Sequence, residues 1–133
     1  MKRLFLDSSV FFTAVNSPTG GSAKLFTLHG VELVTSKVVL TEVERNVRKK
    51  LQTYHLERFF LLAEKLSIID QKPDHTAMSK ARRIIVEKDA IILAEAKKAS
   101  CDALVTLDRK HFMTEKVKKF LKPKEINDTQ RSD

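Results

Sequence analysis

Residues 88–108 read Lys-Asp-Ala-Ile-Ile-Leu-Ala-Glu-Ala-Lys-Lys-Ala-Ser-Cys-Asp-Ala-Leu-Val-Thr-Leu-Asp. Asp89 opens a run in which Ile92, Ala96 and Ala99 recur at helical spacing. The run gives way to Ala103-Leu104-Val105-Thr106, a short buried strand that leads into a second aspartate, Asp108. A helix feeding a short, continuously apolar strand points to a parallel sheet covered on both faces. Helix and strand run antiparallel in such a unit, so the start of the helix returns to the carboxyl edge of the strand. Asp89 and Asp108, nineteen positions apart, are thereby expected at one edge.

The same pattern extends towards the N-terminus. Leu4-Phe5-Leu6 is an apolar run ended by Asp7-Ser8-Ser9, and it reads as a first strand with an aspartate at its carboxyl end. Asn16 to Gly21 is a turn, followed by a helix from Ser22 to about Leu28 that Gly30 closes. Val31 to Thr35 is a second strand. Val39, Val43 and Val47 then recur every four residues with Leu40 and Leu51 beside them, and Glu44, Arg45, Arg48 and Lys49 take the other side of that helix. Leu56, Phe59, Phe60, Ala63 and Leu66 mark another helix, Ser67-Ile68-Ile69 a third strand, and Asp74 the cap of a helix running to about Val86. Strands alternating with helices predict an α/β three-layer sandwich with a central, mainly parallel sheet flanked by helices. Residues 1–122 form one domain, and 123–133, with Ile126 as their single apolar residue, read as a frayed polar tail.

Four acids fall where this fold would gather them. Asp7 and Asp108 end two strands, Asp89 starts a helix, and Glu42 lies in the first turns of the helix after the second strand. In open parallel sheets, ligands bind outside the carboxyl ends of the strands. Each acid has a plainer reading by itself. Asp7 and Asp108 suit turns or caps, Asp89 suits a helix N-terminus, and Glu42 can pair with Arg45 or Asn46 on its own helix. Their convergence is what the plain readings leave unexplained. Crowded carboxylates repel one another unless cations bind, and oxygen donors suit Mg²⁺ or Mn²⁺. Such a site orients water and neutralises charge on a phosphodiester without a protein nucleophile.

Composition narrows the classes. The 133 residues carry 25 Lys and Arg against 17 Asp and Glu, a net charge of +8, which favours a polyanionic partner. Basic groups cluster at Arg45, Arg48, Lys49 and Lys50, at Lys80, Arg82 and Arg83, and from Arg109 to Lys124. The single cysteine, Cys101, excludes an internal disulfide and reads as a small buried filler. No stretch has the roughly 20 apolar residues of a membrane span, so an intracellular, cytoplasmic protein is expected. There is no Walker-type lysine loop. A second aspartate two residues after the first, as phosphoryl-transfer enzymes with an Asp nucleophile commonly have, is replaced by Ser9.

At these residues the sequence resembles the PIN-domain nucleases, the family that includes VapC-type toxins. Leu-Asp-Ser-Ser-Val at 6–10, Thr-Glu-Val at 41–43, Lys-Asp-Ala-Ile-Ile-Leu-Ala-Glu-Ala at 88–96 and Leu-Val-Thr-Leu-Asp-Arg-Lys-His-Phe at 104–112 carry the resemblance. It implies divalent-metal cleavage of single-stranded or structured RNA, with Asp7, Glu42, Asp89 and Asp108 at the family's acidic positions. Ser8 and Thr106 match small polar residues that support the site. Toxin members usually dimerise and are silenced by an antitoxin segment that covers the acidic cleft. Other members act in rRNA processing or RNA quality control, and a copy that grips RNA or protein without cutting is the alternative in another class. The sequence departs from the family at Lys88, where many relatives have Gly, and at His111, where some have a further acid. The family's final strand has no clear counterpart after Phe112.

Overall fold

Parallel strands buried on both faces need near-continuous apolar runs, and three such runs form the centre of the sheet. The computed structural model describes residues 2–69, 75–83, 87–107 and 125–128. Strand β1 (Lys2–Leu6) pairs on one side with β2 (Val31–Ser36), Phe5 opposite Val34. On its other side it pairs with β4 (Ala103–Thr106), Leu6 opposite Val105. Strand β3 (Ser67–Ile69) adds to β2 and β5 (Glu125–Asp128) to β4. All pairings are parallel, and the order is β3-β2-β1-β4-β5. The chain leaves β1 towards β2 and later returns to β4 on the opposite side, so the reversal of strand order falls between β1 and β4. That crevice is where open α/β sheets place their ligands.

Six helices are described: α1 (Ser8–Asn16), α2 (Gly21–Leu25), α3 (Lys37–Lys50), α4 (Thr53–Ala63), α5 (His75–Arg82) and α6 (Glu87–Lys98). Helices α1 to α4 pack together, and α5 packs on α6. Right-handed crossovers set these two groups on opposite faces of the sheet, because the chain steps one way through β1-β2-β3 and then reverses. The core between α1, α2 and α4 is aromatic. Phe11 stacks on Phe59 with ring centroids 5.3 Å apart and meets Phe26 at 5.8 Å. Burying such a ring stabilises the fold by about 1.5–3 kcal/mol. Helix α3 turns Val39, Val43 and Val47 inward and ends in Arg48, Lys49 and Lys50, cations that complement its carboxyl-terminal dipole. Among the described residues no helix is long and apolar enough to cross a membrane.

The structure departs from the sequence reading at four places, the smallest being α2, which ends at Leu25 rather than about Leu28. Residues 8–16, given no element from sequence, form α1, which buries Val10, Phe11, Ala14 and Val15. Helix α6 starts at Glu87, two residues before Asp89. Glu125–Asp128, inside the segment read as a polar tail, is β5, because the outer edge of β4 offers its backbone groups a partner in register from Ala103–Glu125 to Thr106–Asp128. The Asp74 cap, Val86, Asp108, His111 and the basic run from Arg109 to Lys124 lie outside the described residues.

Candidate active site

Asp7 follows β1 directly and is built into the sheet rather than hung from a loop. Its backbone N–H donates to the Val105 carbonyl at 3.1 Å, extending the β1–β4 ladder past Leu6. Its own carbonyl accepts from the Phe11 N–H at 3.2 Å, starting α1. With both backbone groups committed, the side chain has little freedom, and the residue is only 2% exposed. Three hydroxyls converge on its carboxyl group. Thr106 Oγ1 donates to Oδ2 at 2.6 Å, Ser9 Oγ donates to the same oxygen at 2.8 Å, and Ser8 Oγ donates to Oδ1 at 3.3 Å. The Ser9 hydroxyl is itself oriented, since its oxygen accepts from the Leu107 N–H at 3.1 Å. The ends of β1 and β4 are thus sewn together around one carboxyl group.

Neighbouring elements are fixed to the same edge. Thr35, fully buried near the end of β2, donates its hydroxyl to the Leu6 carbonyl at 3.1 Å. Ser36 ends β2 and caps α3, its side chain accepting from the Val39 N–H at 3.2 Å. That cap starts at the sheet's carboxyl edge the helix that carries Glu42, which is half-buried. Asp89 is the third residue of α6; its side chain and the whole of Asp108 lie outside the described residues, Asp108 following Leu107 directly. The structure therefore joins Asp7, Ser8 and Thr106, places Glu42 on α3, and places Asp89 by backbone alone. Among the described residues no three His, Cys, Asp or Glu side chains stand close enough together to hold a metal ion.

Two residues that the sequence reading gave no role take part here. Ser9 lies closer to Asp7 than Ser8 does, at 2.8 against 3.3 Å. A hydroxyl two residues after an aspartate that starts a helix was the available signal. The other is Glu95 on α6, only 6% exposed. Burial raises its carboxyl pKa above the ordinary value, and a hydrogen bond from the Ser36 hydroxyl partly opposes that shift. Its Oε1 is buried without a hydrogen-bond partner. Carboxyl oxygens are the donor type that Mg²⁺ and Mn²⁺ prefer, and the rigid Asp7 group fits such an ion.

The PIN domain profile matches residues 4–117 of this sequence. The VapBC2 structure from Rickettsia felis bound to a promoter DNA fragment superposes with a TM-score of 0.74 at 18% identity, covering 95% of this chain and 98% of that one. VapBC-1 from nontypeable Haemophilus influenzae gives 0.70 at 16% identity, with 97% and 99% covered. The Mycobacterium tuberculosis toxin VapC20, described as cleaving the sarcin-ricin loop, gives 0.60 at 14% identity, with 80% and 91% covered. At these identities the superpositions speak for the fold. No curated protein sequence matches this one. The profile covers most of the chain, in the order of elements just described: the chain belongs to the PIN-domain family.

Proposed function

We propose that this PIN-domain protein is a divalent-cation-dependent endoribonuclease and the toxin of a toxin–antitoxin pair. The observation that carries the reading is the Asp7 carboxyl group, buried at the reversal of strand order and gripped by the Thr106 and Ser9 hydroxyls. Asp7, Glu42, Asp89 and Asp108 are the residues that would hold Mg²⁺ or Mn²⁺. When bound, such an ion supplies charge neutralisation at a phosphodiester and acidifies the water that hydrolyses it. The chain's own part is to hold its carboxyl groups in place and to guide the polyanion. Glu42, Arg45 and Lys49 follow one another at helical spacing along α3, and both cations are exposed. Phosphates drawn to Lys49 and Arg45 are led along that stripe towards Glu42, and the net charge of +8 strengthens the attraction.

RNA as the substrate class draws support from family membership and from the description of VapC20 as a sarcin-ricin loop cleaving toxin. An antitoxin partner is suggested by the VapBC assemblies that share the fold. A homodimer and a cytoplasmic location complete the proposal. The test is cleavage of ribosomal and synthetic RNA in Mn²⁺ or Mg²⁺, by the native chain and by Asp7→Asn. A metal site is worth several kcal/mol of transition-state stabilisation, so the variant should lose about a hundredfold or more in kcat/KM while still binding RNA. Binding without cleavage by the native chain, across RNAs and both ions, would instead favour a non-cleaving RNA- or protein-binding module.

A further inference from the structure

Proteins as a rule expose large apolar side chains singly, and a helix that exposes several on one face offers a contact surface. Helix α4 does so. Its inner face buries Phe59 and Leu62, while Tyr54, Phe60 and Leu61 are 66%, 48% and 62% exposed. They are half of the six large hydrophobic side chains exposed among the described residues. Charged residues flank them in a fixed order. Glu57 and Lys65 stand four residues before and four after Leu61, and Arg58 and Glu64 stand three before and three after. Glu57, Glu64 and Lys65 are exposed. Arg58 is half-buried and commits one N–H of its guanidinium to the Ala14 carbonyl at 3.1 Å, out of the five that this group carries. The helical turn continues past Ala63. The Glu64 N–H donates to the Phe60 carbonyl at 3.2 Å and the Lys65 N–H to the Leu62 carbonyl at 3.0 Å.

This order is self-complementary. A half-turn about an axis through Leu61, at right angles to α4, lays a second copy of the helix antiparallel to the first, with Leu61 against its own counterpart. Every residue before Leu61 then faces the residue equally far after it in the other copy. Glu57 meets the partner's Lys65, Arg58 meets the partner's Glu64, and the symmetry repeats both pairs. Four attractive pairs thus surround an apolar centre, the layout of an interface with a hydrophobic core and a polar rim. A partner of different sequence asks for no such mirrored order of acids and bases. We propose that two copies of this protein associate through α4 about a two-fold axis at Leu61. The inference rests on the homodimer reading, to which it gives a face, and on neither the cation nor RNA.

Sedimentation equilibrium of the full chain tests this, with thermal unfolding to verify that substitution at these exposed positions leaves the fold intact. Leu61→Asp sets two carboxylates against each other at the axis and is expected to leave monomer. Glu57→Lys opposes like charges on both sides of the axis and should weaken the dimer about tenfold or more. Adding Lys65→Glu exchanges the signs and should restore most of the association. Leu61→Cys should cross-link to its own counterpart under copper phenanthroline, because a disulfide needs Cα atoms within about 7 Å and a residue at the axis meets that condition. The native chain, whose one cysteine, Cys101, is buried, is the control. A native dimer that neither responds to Leu61→Asp nor cross-links through Leu61→Cys overturns the assigned face and leaves the homodimer standing. Failure of the double variant to recover overturns the pairing of Glu57 with Lys65. A native chain that sediments as a monomer at micromolar concentration overturns face and homodimer together, and the nuclease reading still stands or falls by RNA cleavage.

Discussion

Thr106→Val removes one hydroxyl from the Asp7 cluster. Valine keeps the branched shape, so a site that is 0% exposed is neither emptied nor overfilled. What goes is the 2.6 Å hydrogen bond to Asp7 Oδ2, the shortest of the three that this carboxyl receives. Bonds to a charged acceptor contribute about 1.5–3 kcal/mol, against roughly 1 kcal/mol between neutral groups. Ser9, held by the Leu107 N–H, continues to donate to the same oxygen at 2.8 Å, which sets the expectation near the lower bound, about 1.5 kcal/mol. Asn at position 7 has no charge, so in an Asp7→Asn background the same substitution should cost only about 0.5–1 kcal/mol. Urea unfolding of the wild type, both single variants and the double variant, in chelator at neutral pH, measures the coupling as the failure of additivity. A coupling of about 1 kcal/mol is expected. Additivity within about 0.3 kcal/mol would mean that the Thr106 hydroxyl does not sense the Asp7 charge, and the account of the site as a carboxylate clamped by hydroxyls would fail.

Two further predictions follow from other parts of the chain. Ser100 adopts φ 54 just after α6, a left-handed conformation that disfavours a side chain, so Ser100→Gly should raise stability by about 1 kcal/mol, read as a higher urea midpoint at unchanged slope. Glu95 gives a pH signature: burial raises its folded-state pKa above the ordinary 4.5, so the folded chain holds a proton that the unfolded chain releases. Its stabilising contribution is complete below 4.5 and disappears as pH rises through the folded value, so native stability should fall across that window relative to Glu95→Met, and parallel pH profiles for the two would contradict the burial.

Much of the sheet was legible because its strands are buried on both faces and are written as uninterrupted apolar runs. Leu4-Phe5-Leu6 and Ala103 to Thr106 have no other reading at that length, and Val39, Val43 and Val47 fix the inner face of α3. Helix α1 was not legible. Val10, Phe11, Phe12, Thr13 and Val15 are β-branched or aromatic residues with weak helix preference, and their helix forms because Asp7 starts it and the Phe59 and Phe26 rings receive Phe11. Strand β5 was hidden for the opposite reason. Glu-Ile-Asn-Asp has almost no strand preference, and only the edge of β4 gives it a role. At the site, Asp7 and Thr106 could be read because each ends or follows a strand. Glu95 could not, since a glutamate in a helix reads the same whether solvent or Ser36 meets it. Its only sequence clue is apolar company on both sides, Leu93 and Ala94 before it and Ala96 after.

The position of Asp7 also explains why hydroxyls, rather than arginine or lysine, hold it. A cation beside a carboxyl group buried at 2% exposure would form an ion pair there, and an arriving divalent ion would have to displace or repel it. Serine and threonine hydroxyls orient the carboxyl through their hydrogens and bring no net charge, so its attraction for a cation is preserved. Among the described residues two cations are engaged away from this group. Arg48 is paired with Glu44 at 3.0 Å and Lys50 lies 5.9 Å over the Phe12 ring, both at the far end of α3 from Ser36. Substituting lysine for Ser9 would put a cation within reach of the Asp7 carboxyl group.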